Sequence, residues 1–462
     1  MLDYSAANTS LWNPIIQVGI IAALIVLANI LRRKIKFIRQ SLMPTAVIAG
    51  FILLVIKSTG VIHIDPVLLE KITYHALGFG FISLSLKVPE KDTSDTPLVG
   101  AKSGALIVGT YLVQAVAGLA VSLFLAYTFM PDLFKASGVL LPMAYGQGPG
   151  QANNIGNLYE QAGMKGGKSF GLSLAAAGFL CACIIGVIYI NVLSKKKKFV
   201  RTKDKRNVSG SVTIDDYQHQ GEIPIAESID KFSMQFALVG MVYLMTFLLT
   251  LGIESLAGLV SEELKNTVSS FVWGFNFILG SLVAIIARSC IVGLRKTKLM
   301  TRQYQNNYLL SRISGLAFDL MIITGIASID ISDLQGYWVP FIALSVIGGI
   351  VTFMFLKILC KKIYPNYEYE AFLGMFGMLT GTISSGILLL REIDPDFETP
   401  ASNQLVVGSS FGIAFGFPVL LLVKYAANGE RAVWIAFALA SLYLAALVAF
   451  ILLAGRKKNK KK

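Results

Sequence analysis

Apolar runs long enough to cross a bilayer recur from Asn13 almost to the C-terminus of this 462-residue chain. Each needs roughly 20 residues to span the hydrocarbon core. Lipid offers no hydrogen bonds, so each run must satisfy its own backbone, and runs of this length do so as helices. Hydropathy gives spans at roughly 14–31, 43–58, 72–86, 103–129 and 168–193, then 234–253, 268–287, 309–328, 338–360 and 402–426, with an eleventh at 431–454. Only 15% of the residues are charged, where a soluble protein carries roughly 25%. The expected class is an all-α polytopic membrane protein.

Two stretches break the apolar pattern. Gly146-Gln-Gly-Pro-Gly-Gln-Ala-Asn-Asn-Ile-Gly156 and Gly377-Met-Leu-Thr-Gly-Thr-Ile-Ser-Ser-Gly386 each sit between the fourth and fifth span of their half, within interrupted segments near 136–160 and 368–391. The same order therefore occurs twice, about 231 residues apart. Local echoes are sparse, such as Pro44 to Gly50 against Gly274 to Gly280. The match rests on hydropathy and on the breaks.

Basic clusters set the orientation. Arg32 to Arg39, Lys195 to Arg206 and Arg288 to Arg302 follow the first, fifth and seventh spans, while loops such as Gly252 to Asn266 and Asp330 to Tyr337 are acidic or nearly uncharged. Lys and Arg are retained on the cytoplasmic side. With the N-terminus outside, every cluster falls inside and the C-terminus ends inside. The first half then starts outside and the second starts inside. That makes two inverted-topology repeats of five transmembrane helices, each with a re-entrant hairpin, plus an eleventh C-terminal helix. The expected divisions are 1–193 and 233–428 for the repeats, a basic cytoplasmic linker at 194–232, and an extra helix with a basic tail at 429–462. The net charge of +14 lies beside apolar segments, which is a topology signal and not a nucleic-acid footprint. Cys181, Cys183, Cys290 and Cys360 have no zinc or CxxC spacing and read as packing residues.

An interrupted helix exposes unpaired N–H groups at one end and C=O groups at the other. Half-helix N-termini favour anions, and carbonyls and hydroxyls favour a small cation. In the first break Gly146, Gly148 and Gly150 permit close backbone approach, Pro149 stops the preceding helix, and Gln147, Gln151, Asn153 and Asn154 supply neutral donors and acceptors. In the second, Thr380, Thr382, Ser384 and Ser385 surround Gly381 with hydroxyls. These residues are the expected substrate site, with a sodium ion at the tips. The competing reading is that small residues merely allow tight helix packing. Asp319 is the acid well inside a confident span, with Thr324 a turn further on. An ionised Asp at a helix centre costs roughly 2.5–3.5 kcal/mol, so it either serves the driving cation or pairs with a buried group. His75 reads as an interfacial histidine, Arg391 as a hairpin anchor at the cytoplasmic surface, and Asn276 and Gln114 as midspan amides that glue helices. An enzyme is not expected. His63, His75 and His219 are scattered, and there is no HExxH or paired Asp. A channel would normally draw its symmetry from several subunits.

The halves together with Gly146-Gln-Gly-Pro-Gly-Gln-Ala and Leu379-Thr-Gly-Thr-Ile-Ser-Ser-Gly resemble the bacterial sodium/glutamate symporter family across roughly Pro44 to Tyr425. The resemblance implies sodium-coupled import of glutamate or a related carboxylate. It also implies a homodimer in the cytoplasmic membrane and elevator-type movement of a core that bears both hairpins and Asp319. The chain departs from that family in having Gln147 where the tip carries histidine, in Asp319, and in the eleventh span. A citrate or 2-hydroxycarboxylate carrier, driven by sodium or protons, is the neighbouring alternative. No cofactor beyond the coupling ion is expected.

Overall fold

The computed structural model describes residues 3–40, 42–60, 62, 64–88, 97–195, 231–274, 276–300, 302–394 and 399–454. The linker after Lys195, the basic tail from 456, His63 and His219 lie outside the described residues, and so does the Ser384 side chain. The described chain is helical. Ten of its helices are long and apolar enough to cross a membrane, and Thr45–Thr59 is a shorter apolar helix. This fits a multi-pass membrane protein.

Helices α1 (Thr9–Lys34), α2 (Lys36–Gln40), α3 (Thr45–Thr59), α4 (Pro66–Leu86) and α5 (Pro97–Thr128) are followed by a 3-10 turn at Lys135–Val139 and a π turn at Pro142–Gly146. Then come α6 (Pro149–Gln161) and α7 (Gly167–Lys195). The later chain forms α8 (Lys231–Val260), α9 (Glu262–Gly274), α10 (Asn276–Lys296), α11 (Asn307–Ala327), α12 (Trp338–Ile363), α13 (Glu368–Leu379), α14 (Ile383–Arg391), α15 (Ala401–Ala426) and α16 (Glu430–Leu453). Local chemistry sets several boundaries. The Asn8 side chain accepts from the Leu11 N–H at the start of α1, and Gly60 closes α3 at φ 70°. Proline opens α4 and α6, where its missing N–H costs nothing.

Two expectations are corrected. The helix of the seventh span does not end at 287, and α10 continues to Lys296. Arg288 sits within that helix because its guanidinium donates to the Ser85 and Lys87 carbonyls at 3.1 and 3.0 Å. Asn276 is buried, and its Oδ1 has no hydrogen-bond partner among the described residues. Nor is Gly252 to Asn266 a loop. Helix α8 extends through Leu251, Leu256 and Leu259 to Val260, carrying Gly252 without a break, and α9 follows after Ser261.

The helices pack into two compact units. The first comprises 1–71, 93–204 and 322–462, and the second 72–92 and 205–321. The second is cored by Ile82, Leu86, Val239, Val242, Val283, Ala284, Leu310 and Ile313. Within it, Gly80 lets Phe318 approach its backbone, and the His75 Nδ1 shares a 2.7 Å hydrogen bond with the Tyr243 hydroxyl. His75 is thus a satisfied histidine. The first unit contains both breaks.

Candidate site where two helix breaks meet

Helix α5 serves as a ruler for the first unit. Near its start, the Tyr364 hydroxyl donates to Ser103 Oγ at 2.6 Å, and Ser103 Oγ donates to Gln404 Oε1 at 2.7 Å. Tyr364 lies just before α13. Farther along, Gly118 packs against Gly138, and Ser122 Oγ donates to the Lys135 carbonyl at 2.8 Å. Those are the first residues of the earlier interrupted segment. Between these levels, Gln114 Nε2 donates to the Leu379 carbonyl at 2.9 Å and to Thr352 Oγ1 at 2.8 Å, and Gly146 lies against Tyr111 and Gln114. At 1.5 Å per residue, Gln114 lies about 16 Å from Ser103 and about 12 Å from Ser122 along the axis. The two segments thus approach from opposite ends of α5, and their breaks meet near its middle.

The contact itself is backbone on backbone. Gly148 adopts φ 82°, ψ −176°, open essentially to glycine alone. A Cβ on it would lie 3.4 Å from both the Gly381 carbonyl oxygen and Thr382 Cγ2. Pro149 then occupies the first position of α6. In the second break α13 ends at Leu379 and α14 starts at Ile383, with Thr382 extended at its N-cap. Helix α7 supplies the shared wall. Gly171 faces the Ala152 carbonyl, Gly178 faces the Thr380 carbonyl and Tyr145, and Phe179 packs by Gly381. Gly325 from the end of α11 lets Pro149 pack against it. Within the second segment Gly374, Gly377 and Gly386 bring α13 and α14 together.

Neither α6 nor α14 has a side-chain cap. Two helix N-termini with first-turn N–H groups therefore point into one region, beside the C-terminal ends of the π turn and α13. Buried polar atoms gather in the same place. Gln114 Oε1, both amide atoms of Gln151, Asn153 Oδ1, Thr382 Oγ1 and Ser385 Oγ have no hydrogen-bond partner among the described residues. Among the described residues of this unit, only Ser137 and Ser345 also carry such atoms. Gln114 and Thr380 are 0% exposed, Gln151 and Asn153 1%, and Ser385 3%. A buried polar group without a partner costs about 1–3 kcal/mol, so an arrangement with several is suited to a polar guest. None of these side chains is charged.

The sequence-derived residues divide accordingly. Gly146, Gly148, Gly150, Gln151, Asn153, Gly381, Thr382 and Ser385 lie at or within a turn of the two tips. Gln147 is half-buried between Gly146 and Gly148, and its N–H donates to the Ala144 carbonyl. Asn154 already has a partner. Thr380 donates its hydroxyl to the Phe376 carbonyl at 2.7 Å, leaving only its acceptor lone pairs. Thr324 is buried, and its carbonyl accepts from Ser328. Asp319 belongs to the second unit, half-buried, with no hydrogen bond or ion pair among the described residues. Arg391 ends α14 at an exposed position.

Tyr111, Tyr145, Phe179 and Thr352 join the site from outside the glycine-rich stretches. No local signal marks them. Gln114 is visible as a lone amide in an apolar run, and it does glue helices, but its free oxygen also faces the tip. Comparison with family models and with curated proteins finds no match to this chain.

Proposed function

We propose that this chain is a secondary active transporter whose substrate site lies at the meeting of the two helix breaks. The observation that carries the reading is the approach of Gly148 to Gly381 and Thr382. It sets two uncapped helix N-termini together, which favour an anionic group. Gln114, Gln151, Asn153, Thr382 and Ser385 add neutral oxygens. Oxygen donors without a carboxylate suit a monovalent cation better than a divalent one, whose sites rely on carboxylates. The combination supports symport of a carboxylate-bearing solute with sodium, glutamate foremost.

In this reading the interrupted segments are re-entrant hairpins of two inverted repeats, and elevator-type alternating access moves the tips with their cargo. The protein would sit in a bacterial cytoplasmic membrane as a homodimer. The site residues work by position. Gln114 holds the last carbonyls of α13 in place, the α6 and α14 N-termini orient the carboxylate, and the side-chain oxygens replace the hydration shell of the ion.

The test is the melting temperature of purified protein with glutamate, aspartate, citrate and malate, each in sodium and in potassium. Ligands that bind the folded state raise it with occupancy. A rise with glutamate in sodium and none in potassium is the expected result. A rise with citrate or malate alone would move the substrate class, and no rise with any of them would sink the carboxylate reading.

A further inference from the structure

A polar cavity lies away from the tips, at the other end of α13. It has a volume of about 300 Å3 and is lined by Tyr189 and Val192 of α7, Lys357 and Lys361 of α12, and Glu368 and Phe372 of α13. All of these residues sit in the last turns of α7 and α12 or the first turns of α13. The ends of spanning helices are where a membrane protein meets lipid headgroups, and tyrosines and lysines collect there.

Its chemistry has two halves. Lys357 and Lys361 are four residues apart on one face of α12 and both exposed. A lysine can lay its stem along apolar surface and still present its ammonium group to an anion. Glu368 faces them from α13, so two lysines and one glutamate leave the lining with a net charge of +1. The inner wall is aromatic. Tyr189 packs edge-on to Phe372 at 4.8 Å and to Phe353 at 5.4 Å, and Lys357 lies 5.5 Å above the Phe353 ring. Val192, 40% exposed at the rim, continues the apolar surface outward.

We propose that this cavity binds the headgroup of a monoanionic membrane phospholipid, with the phosphodiester on the lysine pair and the first acyl carbons along Val192. One negative charge neutralises the lining. A phosphate monoester or free phosphate, carrying up to two charges, meets repulsion from Glu368 and lacks a chain for the apolar rim. Anionic headgroups bind basic pockets between transmembrane helices by this same electrostatic attraction. The site is independent of what crosses at the tips.

The experiment uses delipidated full-length protein in neutral detergent. Its melting temperature is followed with short-chain phosphatidylglycerol, phosphatidylethanolamine or inorganic phosphate. Phosphatidylglycerol should raise it, and the other two should not. The double variant Lys357→Gln/Lys361→Gln should lose most of that rise, and Glu368→Gln should enlarge it. Native mass spectrometry of the wild type provides a second readout that needs no variant: one phosphatidylglycerol should stay bound when phosphatidylethanolamine is in excess. Equal shifts with inorganic phosphate would assign a free anion in place of lipid and overturn the proposal. Equal retention of both lipids, or an undiminished rise in the double variant, would overturn it as well. Transport is not measured, so failure here leaves the substrate site untouched, and failure of the substrate panel leaves this site untouched.

Discussion

Gly148 is the glycine at the tips whose backbone takes a positive φ. Its positive φ is one that other residues adopt at a cost of about 1–3 kcal/mol, and its neighbours Gly381 and Thr382 leave ordinary contact distance and no more. Gly148→Val should lower the melting temperature modestly and abolish the sodium-dependent ligand shift while the protein still inserts. A retained ligand shift would refute the site. Gln114 makes a different demand. Gln114→Leu keeps the volume but removes the donor to Leu379 and Thr352. Loss of about 1–3 kcal/mol is expected, measured as a fall in melting temperature, together with weakened ligand response. Asp319 has no hydrogen bond or ion pair among the described residues, so Asp319→Asn should leave folding intact. If it serves the cation, the sodium concentration for half-maximal transport should rise, and an unchanged value would remove it from the coupling scheme. The residue scale also marks how far sequence can see. Gly148 and Pro149 announce a break by backbone rules that operate within a few residues. Phe179 and Tyr145 announce nothing, because their place at the tips depends on how α7 packs.

At the scale of elements, the half-helices are short and owe their order to tertiary contact. Helix α14 has nine residues, below the length at which an isolated helix is stable in water. It is held against α13 through Gly386, which faces the Gly374 carbonyl, and Gly377, where a Cβ would come 2.8 Å from the Gly386 Cα. Gly386→Leu should separate the pair, and it should cost more stability than Gly148→Val because backbone must move. Thermal unfolding of the two variants side by side checks the order. Most helices are legible in the sequence because apolar runs of spanning length have one solution in lipid. The far end of the seventh span shows the limit. Hydropathy counts Arg288 as the end of a span, whereas the fold gives its guanidinium two carbonyls and carries α10 past it. The helix boundary is decided by a partner about 200 residues away in sequence. Likewise, each break can be read singly, but their meeting cannot, since no local pattern records which ends face each other across α5.

For the whole molecule, the proposed inverted repeats make a prediction about sidedness. Asp132, before the first interrupted segment, and Glu392, after the second, should lie on opposite faces of the membrane, Asp132 outside. Single cysteines at these positions, in a background lacking the four native ones, should react with an impermeant maleimide in intact cells at Asp132 and only after permeabilisation at Glu392. Labelling of both from one side would end the inverted arrangement. The Gly148–Gly381 approach adds a consequence for speed. In a transporter built on it, the point of closest approach between the two access routes has no bulky side chain to swing aside. Rotamer flips take picoseconds to nanoseconds, but displacing a segment of backbone is a collective motion of microseconds to milliseconds. Turnover would then be paced by the travel of half-helices, which sets a carrier's tempo and rules out the ion flux of an open pore.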